Sequence, residues 1–368
     1  MRLRRLRCLT CYWYDGSFVI HGYPQPGPVE IHSAAAEVLA AFDTWTTPKE
    51  AAAALDHLDQ RTVDDAVAAL HQLGLLCEEA SPEAARDEGL AGSWGPWAPE
   101  AAFFHYATRD TPFEAATPEL RRELTRDGQP GLFTSYPRAD RILLPRTRIP
   151  ATAPFEQVLH QRRTHRAFTT EPVTLPTLAT LLAHVFGPAD FIDAEEYGAL
   201  MRRTSAAGGA RQELEAYLGI INVAGLEPGV YHYNVLEHSL ELLTEGFTRP
   251  EARSLLPDQP AAGQVAFVVF VTAVLDRMRV KYRHPRAYRV SLLNAGHLGQ
   301  TFALTATALG LGPYQSAAFH DTAVEDLLGI DGTTHVALYA LAAGTPAAGS
   351  DEATAGLAAF RRTRTLND

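Results

Sequence analysis

Residues 279–300 read RVKYRHPRAYRVSLLNAGHLGQ and contain Lys281, one of only two lysines in the chain. The other is Lys49, and the remaining 30 basic side chains are all arginine. Arginine keeps its proton under ordinary conditions, whereas a desolvated lysine ammonium can lose one and then act as a base. Lys281 and the adjacent Tyr282 are therefore candidates for moving a proton. The plainer reading of a single lysine, a solvated surface charge, stands beside that one.

Three further stretches hold residue types suited to a ligand. QRRTHRAF gathers Arg162, Arg163 and Arg166 around Thr164. Three guanidiniums and a hydroxyl make a competent phosphate cradle, or else a solvated basic face. RTSAAGGARQELEAY sets Ser205, Gly208 and Gly209 in a loop of small residues before a strand, where backbone N–H groups can approach a ligand closely. It is neither a Walker nor a Rossmann fingerprint. GLGPYQSAAFHD, with Gln315, Ser316, Ala317 and Ala318, is a second turn of small residues suited to backbone contact with a flat ligand. No metal site is expected. His232, His238, His297 and His320 lack ligand spacing, and the one C-x-x-C, Cys8 and Cys11, has no second pair to complete a zinc site, with Cys77 far off in sequence.

Composition narrows the classes of function. A net charge of −11 and a pI near 5.7 argue against nucleic acid or an anionic membrane as the main partner. Three cysteines are too few for a disulfide framework, so a cytoplasmic location is expected. The basic start, MRLRRLRCLTCYWYDGSF, lacks the apolar core and cleavage site of a signal peptide. No run approaches the roughly 20 apolar residues that span a bilayer.

The elements that must position these residues fall into three regions. Residues 1–78 read as a small winged-helix-like unit. Its strand is SFVIHGY, followed by a helix with Ser33 at its cap. A second helix opens with the Thr47–Glu50 capping box, and a third carries Val63, Val67, Leu70 and Leu73 on one stripe and stops at Gly74. Such a unit offers an edge that can accept an extended peptide, or serves only to dock on the rest of the chain. Residues 79–153 read as linker and wrapping region, from the Glu/Ala/Pro/Gly-rich EEASPEAARDEGLAGSWGPWAPE onward, with one short helix in TPELRRELTRD. Residues 154–368 mix helices and strands. GQVAFVVFVTAVL and THVALYALAAG read as buried strands, and YRVSLLNAGHLGQTFALTATALGLG as a long buried helix. The fold class expected is α+β, an α/β sandwich around one core.

Taken in order, RRTHRAF, RTSAAGGARQELEAY, GLEPGVYHYN, KYRHPRAYRVSLLNAGHLGQTF and ALGLGPYQSAAFHD resemble the SagB-type dehydrogenases. These are flavoproteins of the nitroreductase superfamily that act in thiazole/oxazole-forming maturation of ribosomal peptides. The resemblance covers roughly residues 154–345. It implies a nitroreductase-like fold that binds FMN at the interface of a homodimer. By position, Arg162, Arg163, Thr164 and Arg166 would hold the FMN phosphate and ribityl chain, with Ser205, Gly208 and Gly209 in the neighbouring loop. The backbone of Gln315, Ser316, Ala317 and Ala318 would lie near the flavin N5 edge, and Lys281 and Tyr282 would be the catalytic pair.

The implied reaction is oxidation of an azoline ring to an azole, in which a base removes the Cα proton and FMN accepts a hydride from Cβ. A precursor peptide would be the substrate and a cyclodehydratase a partner. The sequence departs from the family pattern at Ala206-Ala207, where Pro-Ser is usual, and at Gln212-Glu213, where His-Pro is usual. The lost Ser hydroxyl removes a hydrogen bond worth roughly 1 kcal/mol. Two alternatives follow. One is a flavin enzyme that desaturates another peptide residue or reduces nitro or quinone compounds with NAD(P)H; the other is a non-catalytic scaffold for a peptide-modifying complex.

Overall fold

The computed structural model describes residues 1–24, 27–111, 117–126 and 128–349. The end of the expected 154–368 region, residues 350–368, lies outside the described residues, as does Asp127 at the end of TPELRRELTRD. The chain forms two compact units, Met1–Glu114 with His284–Arg286, and Ala115–Arg283 with Ala287–Asp368. Among the described residues no helix is long and apolar enough to cross a membrane.

The first unit begins with β1 (Leu3–Arg5), the hairpin of β2 (Leu9–Tyr14) and β3 (Ser17–Gly22), and β4 (Val29–Glu30). Three helices follow: α1 (Ala35–Ala40), α2 (Pro48–Ala54) and α3 (Gln60–Gln72). The next strand, β5 (Leu76–Glu78), returns to pair antiparallel with β1. The Thr47–Glu50 capping box is formed on both sides. The cap of α1 is Ala34 rather than Ser33 and makes no side-chain bond. On α3, Val63, Val67 and Leu70 are buried with Leu3, Ile20 and Phe42, but Leu73, at the C-cap, is 37% exposed. The helical period has already turned that position away from the core.

The stretch that composition marks as a linker is helical instead. It forms α4 (Pro82–Trp94) and α5 (Ala98–Ala107), both in the first unit. Ser81 accepts from the Ala84 N–H and Pro82 sits in the first turn, so the start of α4 is capped on both counts. One polar residue then does what an apolar stripe normally does. The Asp87 carboxylate, 2% exposed, accepts from the N–H groups of Arg7 (3.0 Å) and Cys8 (3.1 Å) and pairs with buried Arg4 at 2.9 Å.

The second unit opens with α6 (Pro118–Thr125), the short helix expected from TPELRRELTRD, then β6 (Arg141–Leu143), α7 (Phe155–Gln161), β7 (Val173–Thr174) and α8 (Leu175–Val185). Next come β8 (Asp190–Asp193), β9 (Ala199–Arg202), β10 (Leu214–Ile220), β11 (Val223–Ala224), β12 (Gly229–Asn234), β13 (Ser239–Glu245) and α9 (Arg249–Leu255). The unit ends with β14 (Phe267–Val274), α10 (Leu275–Arg279), α11 (Arg286–Ala308), β15 (Gly312–Ser316), α12 (Asp321–Leu328) and β16 (His335–Gly344).

Seven strands form one antiparallel sheet in the order β15-β16-β14-β10-β12-β13-β6. Phe267, Val269 and Val271 of β14 join one core with Leu182 of α8 and Leu298 and Phe302 of α11. The alternate residues Val268 and Phe270 join the opposite core with Ala252 of α9 and Val324 of α12. Covered on both faces, the strand reads as a continuous apolar run. The result is an α+β sandwich of helices, sheet and helices, as expected.

Candidate functional site

Lys281 and Tyr282 follow α10, and both of their N–H groups bond to the carbonyl of Met278 (3.2 and 2.9 Å). The half-buried Lys281 Nζ lies 5.7 Å from the ring centre of Tyr197 and 5.4 Å from that of Tyr282. The glycine loop closes against the same pair. Gly209 has φ +62°, and a Cβ there would lie 2.5 Å from Tyr282 Oη and 3.3 Å from Lys281 Cδ. Two non-glycine residues of this loop, Ala210 (φ 52°) and Gln212 (φ 50°), are also left-handed. Such backbone costs on the order of 1 kcal/mol or more per residue and gathers at functional sites.

The charges around Lys281 come from segments that sequence reasoning did not single out. Arg211, 4% exposed, lies with its guanidinium 5.4 Å from the Tyr197 ring centre; its Nε donates to the Arg277 carbonyl at 2.9 Å and an Nη to Gln129 at 3.3 Å. Arg121 of α6 pairs with Glu195 and, at 2.8 Å, Glu196, the two residues before Tyr197. Burial, then Arg211, then Arg121 push the Lys281 ammonium below the ordinary lysine range. Burial pushes the Tyr282 phenol up, with Glu213 adding and Arg211 opposing. The two neighbours are thus driven toward complementary roles, a lysine readier to accept a proton and a phenol that keeps its own.

The other residues of the glycine loop are held by the protein itself. Ser205 Oγ bonds to Thr301 Oγ1 at 2.7 Å, and the Gly208 N–H donates to Asn294 Oδ1 at 3.0 Å. A Cβ on Gly208 would lie 2.3 Å from a Val290 methyl. Glycine is therefore required there for close packing on α11. Glu213, in the altered Gln212-Glu213 pair, is fully buried; one carboxylate oxygen accepts from Asn294 Nδ2 at 2.8 Å.

The arginine cluster lies elsewhere, on the segment after α7. Arg163 folds back to donate to the carbonyls of His160 (2.6 Å) and Arg162 (2.9 Å), closing the end of the helix. Arg162, Thr164 and Arg166 form no side-chain hydrogen bond or ion pair among the described residues, and Thr164 and Arg166 are exposed. The His165 N–H donates to the Pro313 carbonyl at 2.9 Å, which brings this segment beside β15 and so beside Gln315–Ala318. Gln315 Nε2 donates to the Gly299 carbonyl of α11, and Ser316 Oγ accepts from the Ala318 N–H at 3.0 Å. The predicted residues thus form two groups. Arg162–Arg166 adjoin Gln315–Ala318, and Gly208 and Gly209 adjoin Lys281 and Tyr282; α11 fastens both.

Comparison with known proteins identifies the family. The Nitroreductase family profile matches residues 159–345. The chain is similar to the trifolitoxin-processing protein TfxB of Rhizobium leguminosarum bv. trifolii, 29% identical over 198 residues, which are 51% of this chain and 53% of TfxB. It is similar to the microcin B17-processing protein McbC of Escherichia coli, 28% identical over 167 residues, 44% of this chain and 58% of McbC. These matches span little more than half the length of either relative. A solved structure from Anabaena variabilis, described as a nitroreductase, is 26% identical and superposes with a TM-score of 0.52, covering 67% of this chain and 47% of that one. The chain belongs to the nitroreductase family.

Proposed function

We propose that the protein is an FMN-dependent dehydrogenase that oxidises azoline rings of a ribosomally made peptide to azoles. The observation that carries this reading is Lys281, half-buried between two tyrosine rings, beside guanidiniums and against a strained glycine loop. The names of two relatives, which process trifolitoxin and microcin B17, favour a peptide substrate.

The residues suit the cofactor. Arg162, Thr164 and Arg166 keep open donors for a phosphate, next to the small-residue segment Gln315–Ala318. When bound, FMN supplies a hydride acceptor. The protein's own task is the proton. Lys281 Nζ, in its neutral form, takes the proton from the azoline Cα, which the ring C=N acidifies. Tyr282 stays protonated and lends its ring and hydroxyl to shape the site. A second copy of the chain would complete each flavin site, and a cyclodehydratase would supply the azoline.

The visible spectrum of purified protein, with identification of the flavin released by heat, tests the cofactor. Incubation with an azoline peptide should remove two hydrogens, read by mass spectrometry. Lys281→Ala should retain flavin and lose oxidation; an unimpaired variant removes Lys281 from the mechanism.

A further inference from the structure

One buried ring serves two cations. Tyr197 is 7% exposed, and Arg211 and Lys281 approach it at nearly equal distances, 5.4 and 5.7 Å from its centre. The two cations are not held alike. Arg211 is anchored through Nε to the Arg277 carbonyl and through an Nη to Gln129, while its other Nη is buried and unbonded. It forms no ion pair among the described residues, although it is 96% withdrawn from solvent. Of the other charges facing this corner, Arg121 is paired with Glu195 and Glu196, Arg277 with Glu215 and Arg279 with Asp276. Glu213, fully buried, is bonded to Asn294 through one oxygen, leaves the other unbonded, and acts at longer range on Arg211 and Tyr282.

We propose that Arg211 is a positioning residue for Lys281: its permanent charge, held in no ion pair and set beside the shared Tyr197 ring, favours the neutral, proton-accepting form of the Lys281 amine. The reasoning is electrostatic. Two cations beside one ring repel, and only the lysine can relieve the repulsion by losing a proton. Burial of Arg211 keeps water from screening the interaction. Burial contributes most to the downward direction for Lys281, and Arg211 is the larger of the two guanidinium contributions that follow, in agreement with the geometry. This refines the reading of Lys281 as the base, and its catalytic meaning rests on that reading; the electrostatic coupling does not.

The chain's composition makes the test direct. With only Lys49 and Lys281, protein labelled with 13C at lysine Cε gives two lysine signals, assigned with a Lys49→Arg variant. Lys281 should titrate below the ordinary lysine value of about 10.4. Arg211→Met should raise its midpoint by about one pH unit, and Arg121→Met, which removes a guanidinium already paired with carboxylates, by clearly less. A Lys281 midpoint at the ordinary value in the unaltered protein overturns the proposal with no variant needed, should Arg211→Met fail to fold. An unmoved midpoint in Arg211→Met, or an equal shift in Arg121→Met, overturns it as well. Failure of the azoline assay with Lys281 still shifted would instead refute the proposed reaction and leave the coupling standing.

Discussion

Two basic groups of the second unit sit in opposite surroundings. His232 is fully buried in the sheet, with Nδ1 2.9 Å from Glu241 and Nε2 3.3 Å from Glu215. Glu215 is further held by Arg277 at 2.6 Å, and Glu241 by Asn234 and Arg141. Burial alone would lower the His232 imidazolium, but the two carboxylates outweigh it and the net direction is up. Lys281, less buried, has arginines as its charged neighbours and is pushed down. The deeper charge is neutralised by its partners, and the shallower one is left at odds with its environment. A buried network so fully bonded holds strands β10, β12 and β13 to the strap around Tyr136, whose N–H donates to Glu241 at 3.0 Å. Groups perturbed by burial and like charges gather at functional sites.

The largest effects would break this contrast outright. Lys281→Met should reduce azoline oxidation by about 100-fold or more and leave the denaturation midpoint unchanged or raised, because it removes an unfavourable charge. Glu215→Ala should do the reverse at its own site, costing about 3–5 kcal/mol by stranding Arg277 and His232, measured by urea unfolding. Similar stability losses from both variants would show that the two sites do not differ in kind.

The pH dependence sharpens the comparison. Against burial, bonds to His232 and the neighbouring charges hold the carboxyl groups of Glu215 and Glu241 down at about 2. Their contribution is complete above the unfolded value near 4.5 and is lost as pH falls through about 2. The raised His232 contributes fully below 6.5 and loses its contribution as pH climbs through its folded value. Lys281 has the opposite sign, since its depressed value costs stability while it is charged and relieves that cost at alkaline pH. Thermal melts should therefore fall at acid pH through the carboxylates, and the gain from Lys281→Met should be present at acid and neutral pH and vanish on the alkaline limb.

A smaller effect is expected at Gly209. Alanine there combines a left-handed backbone with a Cβ pressed on Tyr282 Oη, costing on the order of 1–2 kcal/mol, and should lower activity more than melting temperature. Smallest is Ser81→Ala, about 1 kcal/mol, because α4 also keeps its Asp87 anchor; circular dichroism on heating reads it.

Much of the sandwich was legible because β14 and β16 are largely apolar on both faces and α11 carries a long regular pattern. The Thr47–Glu50 box was legible because its chemistry is local. The α4 region was misread because its helix buries a narrow face around Ala84 and an aspartate, so composition outweighed the Ser81-Pro82 start signal. At the site, Lys281 stood out by its rarity among arginines. Tyr197, Arg211 and Arg121 did not, because an Arg or Tyr in sequence carries no sign of which distant side chain it will face. Gly208 shows the converse. Its type was noticed, but the Val290 methyl that requires it belongs to a helix some 80 residues later.

The two groups of site residues share a single rod. Asn294 holds the glycine loop and Gly299 holds Gln315, about 7.5 Å apart along the axis of α11 at the helical rise. The spacing of the Lys281 corner from the small-residue strand is thus counted out in helical residues. One residue inserted between Asn294 and Gly299 would turn one grip about 100° against the other. Drift among homologues should spare the length of that interval even where its letters change.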